Sequence, residues 1–340
     1  MCYKTGPRSL DQFCSRERIN NTTKKEVSNL KIEDLHFDLP SQPVDAKNWN
    51  LEKWRNENPM DYFKAMYILQ LANHSILKAE AFKTIYQIVR LHIPDTLYKY
   101  YSLSNRVELN ERKFQALLKC KIYLSDIKDF NDPFDGKGFF YNPAQLADIE
   151  RLKSHGGRWI EDFNTYIKAA SLTANGVQSM PMWAHYSNNH SGFCVSYDMK
   201  LNPVLSSCTF PVQYVSERLD VTSFMREQAQ KVCDEIDKQI SENKKEIVLD
   251  DLSVIFMALL LCNLKHISWS YEKEFRCTTA ANAAGMPFLE AQPKEIYVGM
   301  QCKPAHEKRL KDIASTLSIP IYKMTFDERC ETYKLNAKPI

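Results

Sequence analysis

The segment from Tyr271 to Arg276 carries two carboxylates and a guanidinium group within a short stretch, Tyr-Glu-Lys-Glu-Phe-Arg. If it is a strand, its side chains alternate between faces, so Glu272, Glu274 and Arg276 share one face. Paired carboxylates serve general acid–base chemistry or stabilise a positive charge that develops in a transition state. The alternative is a solvated sheet face with its own ion pairs, since charge on one strand face is common.

The segment from Met182 to Gly192 combines two histidines with aromatic and hydrogen-bonding side chains just before a predicted strand. Such density at a strand entrance is typical of a binding loop. Its candidate residues are Trp183, His185, Tyr186 and His190. In the alternative interpretation, the two aromatic residues are core anchors and the two histidines satisfy local backbone groups.

The segment Asn131-Asp132-Pro133-Phe134-Asp135-Gly136 is rich in turn formers and predicts a loop that carries two carboxylates. An Asx-type turn that holds neighbouring loops is one interpretation. A metal site with His185, His190 and Cys194 is the other, but these spacings match no zinc motif, so no metal is predicted. Cys194 as a nucleophile beside His190 is a further alternative.

The composition of the chain is that of a globular protein and leaves its binding partner open. The chain has 340 residues, 44% of them hydrophobic and 26% charged, as expected of a globular protein. A net charge of +3, spread along the chain, neither requires nor excludes a nucleic-acid partner. Ten cysteines without a C-x-x-C pair favour reduced thiols, and the standard nucleotide-binding and acyl-transfer motifs are absent from the sequence.

The expected location is the cytoplasm, with no membrane partner. The first residues contain no apolar segment of the kind that secretory signals have. The longest apolar run, Val254 to Leu264, is shorter than the roughly 20 residues that cross a bilayer. We expect it to be a buried core helix.

The elements that must position these residues follow from hydrophobic periodicity. Residues 1 to about 55 predict a polar arm, and helical spacing over 58–76 and 82–91 predicts a helical unit that ends at Pro94. Beyond it, the pattern predicts strands over 96–100, 121–125, 192–197, 212–215, 271–278, 295–299 and 320–325, and helices over 108–119, 223–244, 252–266 and 305–317. Their irregular order favours an α+β fold with a mixed, largely antiparallel sheet and inserted helices. The predicted organisation is an N-terminal extension over 1–95, a main domain over 96–330 and a tail over 331–340.

Four blocks, in order, resemble the uncharacterised bacterial family DUF2971. They are Leu97 to Tyr100, Ile122 to Asp135 with its Asn-Asp-Pro-Phe-Asp turn, Met182 to Phe193, and Trp269 to Arg276. The resemblance covers roughly residues 96–300. It implies kinship without an established activity.

The order of the blocks also resembles the layout of ADP-ribosyltransferases, including the DNA-modifying DarT type. In that superfamily a residue of the first strand holds NAD, a central residue lines the nicotinamide pocket, and a late glutamate supports an oxocarbenium-like transition state. The resemblance implies these roles for Lys99, for Tyr186 or His185, and for Glu274, with Glu272 activating the acceptor. Lys99 stands where the superfamily has Arg or His. The remaining predicted binding residues are Tyr98, Trp183, His190, Arg276, Asn131 and Asp132.

The expected function is therefore an NAD-consuming enzyme that modifies a nucleic acid or a protein, in bacterial conflict or phage defence. NAD is the expected substrate. One alternative is a metal-dependent nuclease or hydrolase that uses Asp132, Asp135, His185 and Glu274. Another is a non-enzymatic protein that senses a nucleotide or binds a partner.

Overall fold

The computed structural model describes residues 50–72, 78–158, 167–248, 258–280 and 287–340. The helices are α1 (Leu51–Glu57), α2 (Tyr62–Ala72), α3 (Lys78–His92), α4 (Val107–Leu118), α5 (Glu150–Lys153), α6 (Met180–Tyr186), α7 (Pro203–Ser207), α8 (Thr222–Ser241) and α9 (Pro304–Leu317). The strands are β1 (Thr96–Tyr101), β2 (Lys121–Tyr123), β3 (Ser125–Asp126), β4 (Phe139–Phe140), β5 (Ile167–Thr173), β6 (Phe193–Asp198), β7 (Thr209–Pro211), β8 (Gln213–Val215), β9 (Leu219–Asp220), β10 (Leu264–His266), β11 (Glu274–Ala280), β12 (Phe288–Glu290), β13 (Glu295–Val298), β14 (Ile321–Phe326) and β15 (Leu335–Pro339).

The described residues form two compact units, each built from three segments of the chain. The first unit lies within Met1–His92, Ile127–Ile167 and Gln213–Ile267. The second unit comprises Ile93–Asp126, Lys168–Val212 and Ser268–Ile340.

A nine-stranded sheet dominates the second unit, with strands in the order β15-β14-β13-β6-β1-β5-β11-β7 and β3 paired to β5. β1 pairs antiparallel with both β5 and β6, and β6 pairs antiparallel with β13. β13 and β14 are parallel, and β14 and β15 are antiparallel. The predicted α+β class with a mixed, mostly antiparallel sheet is therefore confirmed.

The two faces of this sheet differ, because side chains alternate along each strand. On the face that we call the apolar face, Leu97, Val195 and Ile296 join one core with side chains of α4 and α9. On the opposite face, which we call the tyrosine face, the core contains Tyr100, Cys194, Tyr297 and, from α6, Trp183. Helices cover the apolar face, while α6 contributes to the tyrosine face.

The first unit contains the helical hairpin of α2 and α3 and the long helix α8. His92 at the end of α3 is buried, and its ring centroid lies 5.2 Å from that of Trp54. Burial and the nearby Arg55 lower the pKa of His92 to about 4. Two short parallel strand pairs, β4 with β9 and β8 with β10, complete this unit.

Several predicted elements need correction. The strand predicted over 271–278 begins at Glu274, because Ile267–Glu272 forms a 3₁₀-helix. The loop predicted over 182–192 begins within the helix α6 and continues as a turn from Ser187. The helix has a Pro in its first turn, where a missing N–H costs nothing. The helix predicted over 252–266 is helical at 258–261 but ends before the strand β10, and its residues up to 257 lie outside the described ones.

Three strands of the large sheet were not predicted, namely β5, β7 and β15, and neither were the short strands β4, β9, β10 and β12. β5 is rich in alanine, which has low strand propensity, and β7 is short and ends in Pro211. β15 falls within the predicted tail and pairs with β14 along five residues. Among the described residues, no helix is both long and apolar enough to cross a membrane.

Candidate functional site

Glu274 begins β11 and is anchored by side chains on its own strand and on the neighbouring strand β5. Ser171 Oγ donates a hydrogen bond to Glu274 Oε1 at 2.5 Å. Arg276 donates from Nε to Oε1 at 2.9 Å and from Nη2 to Oε2 at 3.1 Å. The exposed fractions of Glu274 and Arg276 are 4% and 0%, so a fully buried guanidinium group orients this carboxylate through two hydrogen bonds.

Glu272 lies two residues earlier and is also buried, at 2% exposure. The hydroxyl of Tyr186, at the end of α6, donates a short hydrogen bond to Glu272 Oε1. The backbone carbonyl of Glu272 accepts a hydrogen bond from Thr173 Oγ1 at 2.6 Å. Glu272 is therefore held from two sides, by α6 and by β5.

Lys273 separates the two glutamates and has the unusual φ of 44°. This left-handed conformation costs about 1 kcal/mol for a residue with a Cβ, so the surrounding contacts must impose it. Its carbonyl accepts from the N–H of Ala174 at 3.1 Å, and its own N–H donates to the carbonyl of Ser270 at 3.2 Å. Strained backbone of this kind is concentrated at functional sites, so this turn is a candidate for one.

The turn that follows α6 also has left-handed backbone. Asn188, Asn189 and His190 have φ values of 52°, 51° and 63°. Asn and His tolerate this region better than most residues. The turn is fixed by Asn188, whose side-chain amide donates to the carbonyl of Leu103 at 2.6 Å, and by Gly192, where a Cβ would lie 1.9 Å from the carbonyl oxygen of Tyr101.

The predicted binding residues of α6 and its turn have different environments. Trp183 is fully buried, packs edge-on against Tyr100 and donates from Nε1 to the carbonyl of Val177. Its environment is that of the core anchor considered as an alternative. His190 stacks on Trp183 with ring centroids 6.1 Å apart, and burial lowers its pKa. His185 is exposed in the last turn of α6, next to Tyr186.

Lys99 lies on the apolar face of the sheet, whereas Glu274 lies on the tyrosine face. Lys99 shares a face with Leu97 and Tyr101, and its Nζ is 5.3 Å from the centroid of the Tyr101 ring. Glu274 bonds to Ser171, which lies two residues from Thr173, the residue paired with Tyr98. The structure therefore brings Tyr98, and not Lys99, to the face that carries Glu274.

The Lys99 amine is enclosed and donates to the carbonyl of Ser171 at 3.3 Å. Burial lowers its pKa to about 8, against smaller opposing effects of Cys277 and Glu274. This amine is hydrogen-bonded to the backbone and lies near an aromatic ring, and Glu274 acts on it only as one of the smaller electrostatic effects.

Asn131 and Asp132 belong to the first unit rather than the second. Asp132 Oδ1 accepts a hydrogen bond from the N–H of Phe134 at 2.9 Å, which is the predicted Asx-type turn. Among the described residues, no group of three or more His, Cys, Asp or Glu side chains has the geometry to hold a metal ion.

Sequence reasoning missed Ser171 and Thr173, which support the two glutamates. Both lie on β5, a strand without a clear apolar alternation, so no pattern marked it. The two hydroxyl residues spaced by two in Ser171-Leu172-Thr173 were the available signal, since such residues share one face of a strand.

No curated protein and no solved structure gives a significant match to this chain. A family model matches residues 182–277, a range that includes α6, β6 and the glutamate-bearing turn before β11. The blocks at 97–100 and 122–135 lie outside this range. The match is to the family described as Protein of unknown function (DUF2971), and it confirms the resemblance of this chain to DUF2971 over those residues.

Proposed function

We propose that this chain is an NAD-consuming enzyme, similar to ADP-ribosyltransferases, that modifies a nucleic-acid or protein acceptor. One observation carries the proposal. Glu272 and Glu274 are two buried carboxylates on either side of a strained residue, and each accepts a hydrogen bond from a hydroxyl group of another element.

Glu274 provides the electrostatic part of the reaction. Breaking the bond between nicotinamide and ribose builds positive charge on the ribose, and a carboxylate stabilises charge that exists only near the transition state. Ser171 and Arg276 fix the orientation of Glu274 in advance. Arg276, a predicted binding residue, is thus assigned to hold Glu274 rather than to bind the cofactor directly.

Glu272 and the end of α6 provide the acceptor side. The hydroxyl of Tyr186 is used to fix Glu272. The aromatic ring of Tyr186 is then the part that contacts the nicotinamide. In this proposal, the exposed His185 beside it takes a proton from the incoming acceptor. Lys99 has no role in this proposal, because its amine lies on the other face of the sheet.

Nicotinamide release from labelled NAD, with and without a cell lysate as the source of acceptor, tests the proposal. We expect Glu274→Gln to reduce release at least about 100-fold, the usual cost of removing an electrostatic group from a transition state. Glu272→Gln should preferentially reduce label transfer to the acceptor. Glu307→Gln is the matched control, since this glutamate also pairs with cations but lies on α9.

Absence of nicotinamide release from the wild-type protein, with and without lysate, would contradict the proposal. Equal release by wild type and Glu274→Gln would also contradict it. The metal-dependent alternative has no comparable support, because no three-ligand cluster is found in the described part of the chain. The role in toxicity or phage defence is an extension of the same proposal, tested by expressing wild type and Glu274→Gln in bacteria.

A further inference from the structure

A row of four paired residues crosses the tyrosine face from β5 to β13. Thr173 pairs with Tyr98, Tyr98 pairs with Ser196, and Ser196 pairs with Glu295. Paired residues on adjacent strands point to the same side, so this row links the strand that supports Glu272 with a third carboxylate.

The carboxylate of Glu295 is fixed on one side only. Its Oε2 accepts hydrogen bonds from Tyr297 Oη at 2.7 Å and from Ser196 Oγ at 3.1 Å. Its Oε1 accepts none from the residues that the structure describes, and the side chain is half-buried. A carboxylate oriented by two hydroxyl groups, with its second oxygen available, is suited to accept hydrogen bonds from a ligand.

Tyr297, which bonds to this carboxylate, contacts two further tyrosine rings. Tyr297 stacks on Tyr322, with centroids 5.2 Å apart and an interplanar angle of 18°, and lies 6.4 Å from Tyr98. Tyr98 and Tyr322 are half-buried, and neither hydroxyl is hydrogen-bonded within the described chain. Burial, Cys194 and Glu295 all raise the pKa of Tyr98, so its hydroxyl stays protonated and can donate.

We propose that Glu295, Tyr98 and Tyr322 form the adenosine subsite of the NAD-binding face. Glu295 Oε1 accepts from the ribose 2′- and 3′-hydroxyls, as an acidic residue does for ribose in other dinucleotide sites, and the tyrosine rings contact the adenine. This inference rests on the proposed function for the identity of the dinucleotide.

The spacing of the two sites supports a dinucleotide. Glu274, at the reacting ribose, lies on β11 and Glu295 on β13, four strand spacings apart, which amounts to about 19 Å between the two strands at about 4.8 Å per spacing. NAD carries two riboses joined by a pyrophosphate, so its reacting ribose and its adenosine ribose need two separate sites. The 2′- and 3′-hydroxyls of a ribose are uncharged donors that a carboxylate can accept from. The carboxylate of Glu295 would repel a phosphate group at the same position.

Calorimetric titration with adenosine and with 2′,3′-dideoxyadenosine tests the subsite. Wild type should bind adenosine at least tenfold more tightly than the dideoxy compound. Glu295→Gln should bind adenosine about tenfold more weakly than wild type and should discriminate less between the two compounds. Glu307→Gln, on the helix that covers the other face, should behave as wild type.

Equal binding of the two compounds by wild type would overturn the subsite, and so would no detectable binding of adenosine. The comparison of two ligands on the wild-type protein does not depend on how any variant folds. In nicotinamide release, Glu295→Gln should raise KM for NAD at least tenfold with little change in kcat.

The two proposals fail in different ways. Diol-dependent adenosine binding without any nicotinamide release would contradict the proposed function and support the subsite as a nucleoside site. Nicotinamide release with an unchanged KM in Glu295→Gln would overturn the subsite and support the proposed function.

Discussion

The hydroxyl of Tyr186 is hydrogen-bonded to the carboxylate of Glu272, although 86 residues separate them in the chain. This bond joins the end of α6 to the turn that leads into β11. Both residues lie within the segment that matches the DUF2971 model, whereas Thr173, which bonds to the backbone carbonyl of Glu272, lies on β5 outside that segment.

Tyr186→Phe should destabilise the fold by about 1–3 kcal/mol, because a buried carboxylate loses a hydroxyl donor. The measurement is urea unfolding of the variant beside wild type. Adding Glu272→Gln to Tyr186→Phe should cost less than the sum of the single changes. Additive effects would mean that the two side chains do not interact in solution.

Arg276→Met should destabilise by about 3–5 kcal/mol, since Glu274 would remain as a buried charge without its cation. The double variant Arg276→Met with Glu274→Gln should recover part of this loss. The midpoint of denaturant unfolding, at constant m-value, reports both effects. If the double variant is less stable than Arg276→Met alone, the pair is not the source of the loss.

The buried amine of Lys99 should make the free energy of unfolding increase with pH between about 8 and 10.5. The pKa of the amine is about 8 in the folded protein and 10.5 ordinarily, so between these values the unfolded chain binds the additional proton. The rise amounts to roughly 3 kcal/mol at 1.36 kcal/mol per pKa unit. Lys99→Met should therefore exceed wild type in stability at pH 7 and lose this part of the pH dependence.

Unfolding curves at pH 7, 9 and 10.5 test this prediction, and a stability difference that does not vary with pH would refute it. Lys99→Met should also keep its nicotinamide release, because the amine lies on the apolar face. Loss of release in a folded Lys99→Met protein would restore the role implied by the superfamily resemblance.

Gly192→Ala should destabilise by several kcal/mol or prevent folding, because the new Cβ would lie 1.9 Å from the carbonyl oxygen of Tyr101. Thermal unfolding and soluble yield are the measurements. Ser191→Ala is the neighbouring control, since this side chain is half-exposed and bonds locally to Asn188. Equal stability of the two variants would show that the turn can shift away from β1.

The class of the fold and most of its strands were predictable, because periodic apolar residues determine which face of a strand is buried. β6 illustrates this, since Phe193, Val195 and Tyr197 all lie in one core. The pairing of Glu274 with Arg276 on one face was predictable for the same reason. Alternation along a single strand needs no knowledge of its neighbours.

The separation of Lys99 from Glu274 was not predictable from their own segments. It depends on which side chains of β1 point to the tyrosine face. That follows from the register of β1 with β5, a strand whose sequence has no clear apolar alternation. The position of Glu272 also depends on the left-handed φ of Lys273, a residue type that seldom adopts it. Contacts between distant segments therefore determine both the separation of Lys99 from Glu274 and the position of Glu272.

The position of β1 in the sheet has a consequence for how the chain acquires its structure. β1 lies between β5 and β6, so its partners emerge from the ribosome only after many further residues, and β13 completes the row near residue 295. Pairings between such distant segments form slowly, because loop-closure entropy is lost before the contacts that compensate for it are made. Until then the unpaired edges of β1 are open to association with other chains, so we expect slow refolding and a lower yield as protein concentration rises.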